Sequence, residues 1–137
     1  GNSVSGGNYA TATLQGSRGG AGIAAAWVTV RCMAGDGYLA AAHRVHSAYV
    51  AIRDGIVSAP ALEIVGAGEL CILAFRSVGF SNRALAKAMR ARGWNLSASE
   101  NPSCLGVCIG EQHYSMASSF VADLHAATAE CVAAAGS

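Results

Sequence analysis

Leu62-Glu63-Ile64-Val65-Gly66-Ala67-Gly68-Glu69-Leu70-Cys71-Ile72-Leu73-Ala74-Phe75 decides the fold. Leu62 to Val65 and Leu70 to Phe75 read as two short apolar strands punctuated by glycines, and a hairpin is the plain inference. Downstream, Ser81 is placed to cap a helix from Asn82 to Arg92. Leu85 and Met89 point inward there, Arg83, Lys87, Arg90 and Arg92 point outward as a solvated basic face, and Gly93 ends the helix. Trp94 to Ala98 reads as a strand, Asn101-Pro102-Ser103 as a turn and Leu105 to Ile109 as another strand. A closing helix, Ser115 to Ala134, sets Met116, Phe120, Leu124, Ala127 and Cys131 on one stripe. The order β-β-α-β-β-α implies an α+β layer with a small, mostly antiparallel sheet covered on one side by helices.

Upstream of the hairpin lie two helical stretches. Tyr38 to Ser58 carries Leu39, Ala42, Val45, Tyr49, Ile52 and Ile56 at spacings of three and four, opposite a polar face with His43, Arg44, His46, Arg53 and Asp54. Pro60 closes it. Ala21 to Ala34 has almost no polar face, and a helix apolar all round is expected to be buried all round. Gly35-Asp36-Gly37 separates the two, with Asp36 available as a cap. Before them, Leu14-Gln15-Gly16-Ser17-Arg18-Gly19-Gly20-Ala21-Gly22 is a glycine-dense loop running into a helix start, a design that seats an anion on free N–H groups. Gly1 to Thr13 lacks periodicity and reads as an extended arm.

Composition bounds the function. The chain has 137 residues, a net charge of +1 and only 12% charged residues, so it has no overall field for nucleic acid or an anionic membrane. Hydrophobic residues make up 53%, more than a domain of this size needs for its own core, which implies apolar surface facing another domain or subunit. Arg31, Asp36 and Arg44 interrupt the richest apolar region, so no membrane span is expected. Cys32, Cys71, Cys104, Cys108 and Cys131 are odd in number and dispersed, which argues for reduced, buried thiols in an intracellular protein. Cys104 and Cys108 with His113 invite a metal. On a strand, however, their sulfurs stand roughly 13 Å apart, too far for one tetrahedral zinc. His43 and His46, at i and i+3, read as solvated. No metal site is expected.

Several motifs carry a resemblance. Gly6-Gly7-Asn8-Tyr9-Ala10-Thr11-Ala12-Thr13-Leu14-Gln15-Gly16-Ser17-Arg18-Gly19-Gly20 is similar to a segment of sphingosine-1-phosphate lyases that reads approximately GG-x-Y-A-(S/T)-x-T-x-x-GSRPGG. Gly35-Asp36-Gly37-Tyr38 resembles their GE(N/D)GY turn, and Arg92-Gly93-Trp94-Asn95-Leu96 their (K/R)GWNL strand. Pro102-Ser103, with the strand ending near His113, resembles their P-(P/S)-S-I-H-x-C-(I/V)-T-x-x-H run. The motifs stand in the family's order over nearly the whole chain.

The resemblance implies the C-terminal portion of a pyridoxal-phosphate enzyme of the group II decarboxylase family, with the aspartate-aminotransferase fold. Residues 1–34 would be an arm, glycine loop and buried helix at the large-domain or dimer interface, and 35–137 the C-terminal small domain. Ser17 would reach the phosphate of pyridoxal phosphate held by the other subunit of a homodimer, supported by Gly16, Arg18 and Gly19. Gly19 stands where the family usually has proline, which leaves the loop less rigid. Tyr9 and Thr13 would neighbour the substrate pocket. The lysine that carries the cofactor would lie upstream, and Lys87, on an exposed helix face, is no candidate. The isolated chain is therefore expected to be inactive.

The implied parent reaction is cleavage of a phosphorylated sphingoid base to a fatty aldehyde and phosphoethanolamine. Decarboxylases of the group place an arginine in the strand matching Leu105 to Ile109, whereas no arginine follows Arg92 here. Gly106 stands where the lyases often carry histidine. The alternatives are part of a glutamate-type decarboxylase and a non-catalytic α+β binding module. The resemblance further implies a cytosol-facing location without membrane contact by this segment, an endoplasmic-reticulum anchor being an option for the full-length protein.

Overall fold

The computed structural model describes residues 3–4, 7–8, 19–68 and 71–136. Its contacts divide the chain into two compact units, Gly1–Tyr38 and Leu39–Ser137.

In the first unit, β1 (Ser3–Val4) and β2 (Gly7–Asn8) pair antiparallel, Ser3 opposite Asn8 and Val4 opposite Gly7. Within the segment read as an extended arm, these two short strands therefore pair with each other. Helix α1 (Gly20–Met33) follows. Within this chain none of its residues is buried, and Ile23, Trp27, Val28 and Val30 are half exposed or more, so any cover for the helix must come from outside its own unit. Apolar composition states what a helix needs, and the unit it belongs to supplies no covering layer. The Arg31 guanidinium lies 5.8 Å from the Trp27 ring centroid, a cation–π contact on the same surface. Gly35, at φ +71°, makes the break after α1.

Helix α2 (Asp36–Val57) buries only its C-terminal half, through Ala48, Tyr49, Ile52, Gly55 and Ile56. Leu39 and Ala42, expected on the packed stripe, are exposed. Strands β3 (Leu62–Ile64) and β4 (Ile72–Ser77) form the expected hairpin, with Glu63 opposite Arg76 and Ile64 opposite Phe75. The Tyr49 hydroxyl donates to the Gly68 carbonyl at 2.5 Å, tying the connecting loop to α2.

Helix α3 (Asn82–Ala91) is capped as expected: the Ser81 hydroxyl accepts from the Arg83 N–H at 3.2 Å, and Gly93 follows at φ +90°. Leu85 and Met89 are fully buried. The next strand, β5 (Ser97–Glu100), starts three residues later than read. Trp94 is instead fixed from its side chain, its indole N–H donating to Asp123 at 2.7 Å and its ring meeting Phe120 edge-on at 5.1 Å. Strand β6 (Ser103–Cys108) returns after a two-residue turn whose Asn101-Pro102 bond is cis. A short 3-10 turn (Glu111–Tyr114) leads into α4 (Ala117–Ala135), where Phe120, Leu124 and Ala127 are buried as expected while Met116 is 39% exposed.

The four-stranded sheet runs β3-β4-β6-β5 and is antiparallel throughout. Strand β6 enters the middle and β5 takes the edge. The reason is packing: β6 offers Leu105 and Val107 to the layer that holds Leu73 and Phe75, whereas all four residues of β5 are exposed. Fully buried Ile52, Ile56, Leu85, Met89, Phe120 and Leu124 place α2, α3 and α4 over that one sheet face, the expected one-sided cover. The opposite face, with Ile72, Arg76, Gly106 and Cys108, carries none of the fully buried residues.

The cysteine reading needs correction too. Cys104 is buried, but Cys32 and Cys108 are exposed, and Cys71 and Cys131 are half-buried. All five are free thiols. Cys32 lies on α1, none of whose residues is buried within this chain, and Cys108 ends β6 on the sheet face opposite the helices.

Candidate functional site

Of the loop residues singled out in the sequence, Gly16, Ser17 and Arg18 lie outside the described residues, as do Tyr9 and Thr13. Gly19 is described. It is the N-cap of α1, extended at φ −62°, ψ 130°, with no side-chain capping bond. The first turn of α1 has no acidic residue, and a Cβ built on Gly19, Gly20 or Gly22 would meet nothing within 4 Å. The helix thus begins directly after the glycine loop, and among the described residues no side chain caps its first-turn N–H groups. Such an end favours an anion through both hydrogen bonding and the helix dipole.

The open sheet face presents a second element. Register sets Gly106 between Ala74 on β4 and Ser97 on β5. A Cβ on Gly106 would meet Ser97 Cβ at 3.7 Å, ordinary contact, so a side chain at this position would fit and its absence leaves a small, uncharged floor. The guanidinium that β4 brings to this face, Arg76, is held by two hydrogen bonds to Glu63 at 2.7 and 2.9 Å. With its charge already matched, this face offers no free arginine clamp to a substrate carboxylate.

A third element fixes the turn after β6. The Gly110 N–H donates to His113 Nδ1 at 2.9 Å, which leaves Nε2 as the protonated nitrogen of the neutral ring. Arg44 on α2 grips Glu111 at 2.5 to 2.8 Å. This pair spans 67 residues and no local pattern announces it. His43 and His46 are exposed on α2, His46 stacking on Tyr49 at 6.3 Å between centroids. Among the described residues, no three His, Cys, Asp or Glu side chains group as a metal site requires.

No family model matches this chain. A sphingosine-1-phosphate lyase of Drosophila melanogaster is 34% identical over 127 residues, covering 91% of this chain. Its counterpart from Arabidopsis thaliana is 30% identical over 123 residues, covering 90%. The solved structure of the Burkholderia pseudomallei sphingosine-1-phosphate lyase superposes with a TM-score of 0.85 over 96% of this chain at 29% identity. The chain is a homologue of the sphingosine-1-phosphate lyases. It spans 23% of the length of these two curated lyases and 30% of the solved lyase chain. The α+β layer of the second unit is thus similar to part of the solved lyase.

Proposed function

We propose that this chain is the C-terminal part of a pyridoxal-phosphate-dependent carbon–carbon lyase that cleaves a phosphorylated sphingoid base to a fatty aldehyde and phosphoethanolamine. The observation that carries the reading is the likeness to sphingosine-1-phosphate lyases over nine-tenths of the chain. The residues present are compatible with the cofactor: the α1 start has a glycine N-cap with no side-chain capping bond and no acidic residue in its first turn to repel a phosphate. When bound, pyridoxal phosphate supplies the electron sink for the bond cleavage.

The part of this chain is to bind and orient. Ser17 donates its hydroxyl to the cofactor phosphate of the other subunit in a homodimer, Gly16 and Gly19 bring backbone close to it, and Arg18 adds positive charge. Tyr9 and Thr13 border the substrate. The apolar surface of α1, carrying Ile23, Trp27, Val28 and Val30, is covered by the large domain or the partner subunit. Lys87, the single lysine of the sequence, is exposed on α3 and is no candidate for the cofactor lysine, so the chain alone is inactive. The neutral floor at Gly106 and the Glu63-bound Arg76 favour a substrate without an α-carboxylate over an amino acid. The protein works on the cytosolic side, and an anchor in the endoplasmic reticulum would come from residues outside this segment.

The test uses the longest polypeptide that carries this chain. Release of fatty aldehyde from a phosphorylated long-chain base supports the reading, and release of carbon dioxide from glutamate or tyrosine instead would overturn it. Ser17→Ala removes one charge-assisted bond of about 1.5 kcal/mol, which weakens pyridoxal-phosphate affinity about tenfold in a titration followed by cofactor absorbance. Unchanged affinity would remove Ser17 from the phosphate site.

A further inference from the structure

The nine lysines and arginines are not treated alike by the fold. Arg44, Arg53, Arg76 and Arg92 are paired with Glu111, Asp54, Glu63 and Glu130, and Arg31 lies over Trp27. Arg83, Lys87 and Arg90 have no carboxylate within ion-pair distance among the described residues, and only Arg90 finds a neutral partner, Asn95, at 3.2 Å. Spaced by four and three on α3, they form one exposed stripe roughly 10 Å long. The helix contains no acidic residue to balance them. They line a shallow groove with two carboxylates, of which Glu63 is held by Arg76 and Glu100 sits at the β5 edge, so the face keeps a positive excess.

Apolar side chains stand beside the stripe. Val78, 51% exposed, lies on the turn between β4 and α3, where Gly79 at φ +86° sets the bend. Phe80, the next residue, lines both the cationic groove and an apolar recess built from Pro60, Ala61, Val78, Val132 and Ala135. Val132 is itself 46% exposed. A cationic stripe continuous with the exposed aliphatic Val78 and Val132 and the half-buried Phe80 ring is an arrangement that can lie in a lipid interface. An RNA or an acidic peptide would engage the cations and leave Val78 and Val132 without a role.

We propose that this face docks on an anionic lipid surface, with Arg83, Lys87 and Arg90 against lipid phosphates and Val78 and Phe80 in the headgroup layer. The contact is peripheral, since among the described residues no helix is long and apolar enough to cross a membrane. Overall composition argues against it because a net charge of +1 averages over carboxylates that the fold has already engaged elsewhere. The proposal rests on the surface around α3 alone and is independent of the lyase reading.

The experiment is co-sedimentation of the purified protein with phosphatidylcholine vesicles, with and without about one-third phosphatidylserine. Each cation near an anionic surface is worth about fivefold in partitioning, so the three together give roughly a hundredfold preference, which falls as salt is raised. The triple variant Arg83→Gln, Lys87→Gln, Arg90→Gln loses that preference. The charge-keeping pair Arg83→Lys, Arg90→Lys retains it, which separates charge from any fault in folding. Val78→Ser weakens binding to anionic vesicles without changing its salt dependence. Equal sedimentation with both vesicle types, indifference to the triple variant, or tighter binding to polyglutamate or single-stranded RNA than to anionic vesicles would each overturn the proposal.

Discussion

Gly55→Ala tests the closest approach in the helical layer. A Cβ on Gly55 would lie 2.5 and 2.6 Å from the two methyl carbons of Val121 and 3.1 Å from its Cβ. Because both branches of the valine stand in the way, rotation of its side chain exchanges one clash for the other. Relief requires α2 and α4 to separate, and that strains the 2.7 Å bond between His125 Nε2 and the Gly55 carbonyl. Overpacking of this kind costs about 1–3 kcal/mol, and the helix-propensity gain of alanine over glycine returns about 1 kcal/mol. With both valine methyls at 2.5 and 2.6 Å the upper half of that range applies, so the net expectation is a loss of about 1–2 kcal/mol, a fall in Tm of several degrees for a chain of this length. Urea unfolding can be followed through Trp94, which packs on Phe120 of α4. Adding Val121→Ala removes both methyls, so the double variant should be more stable than the sum of the single changes predicts, by at least about 0.5 kcal/mol. If Gly55→Ala unfolds at the same or a higher urea concentration than the wild type, the glycine is not there for helix approach and the reasoning fails.

Three further outcomes are expected. Thr128 is buried with its hydroxyl lacking a partner, so the near-isosteric Thr128→Val should raise the unfolding midpoint by the equivalent of about 1 kcal/mol; a lower midpoint would mean the hydroxyl is satisfied in solution. Trp94→Phe keeps the ring against Phe120 but deletes the indole bond to Asp123, costing about 1–2 kcal/mol in the same assay, and a neutral result would show that water replaces it. Burial, followed by the charge of Glu130, pushes the Cys131 thiol up from its ordinary 9.0. The folded state then holds this proton more tightly than the unfolded one, so the contribution to stability is full below pH 9.0 and is lost as pH rises through the raised value. Thiol titration at pH 8 should find the exposed Cys32 and Cys108 reacting ahead of Cys131, and Cys131→Ala should flatten the alkaline fall in stability.

How much of the molecule was legible follows from the range of each signal. The Ser81 cap, the Gly93 stop and the inward pair Leu85 and Met89 were readable because capping and helical periodicity act within one or two turns. The start of β5 was misplaced because Trp94 has strand-like character but is held by Asp123 and Phe120, 29 and 26 residues away. The glycine loop reads as an anion seat from its residues, but Gly16, Ser17 and Arg18 lie outside the described residues. Its role for Ser17 came from resemblance alone, because the group it would meet is not part of this segment. The basic face of α3 was readable, but not that Arg92 pairs with Glu130 while Arg83, Lys87 and Arg90 stay without a carboxylate among the described residues, nor that Arg44 meets Glu111, since which carboxylate meets which cation is settled by contacts across the fold.

By itself the order of residues determined the succession of helices and strands, the turn chemistry at Gly35, Ser81 and Gly93, and the kinship with lyases, all of which rest on short-range backbone preferences and motif spacing. Only the tertiary structure decided that β6 lies inside β5 in the sheet, that α2 is buried along half its length, and that α1 finds no cover for its apolar side chains within this chain. Those outcomes depend on how much apolar surface each neighbour offers, and burial is a property of pairs of elements that no single stretch contains.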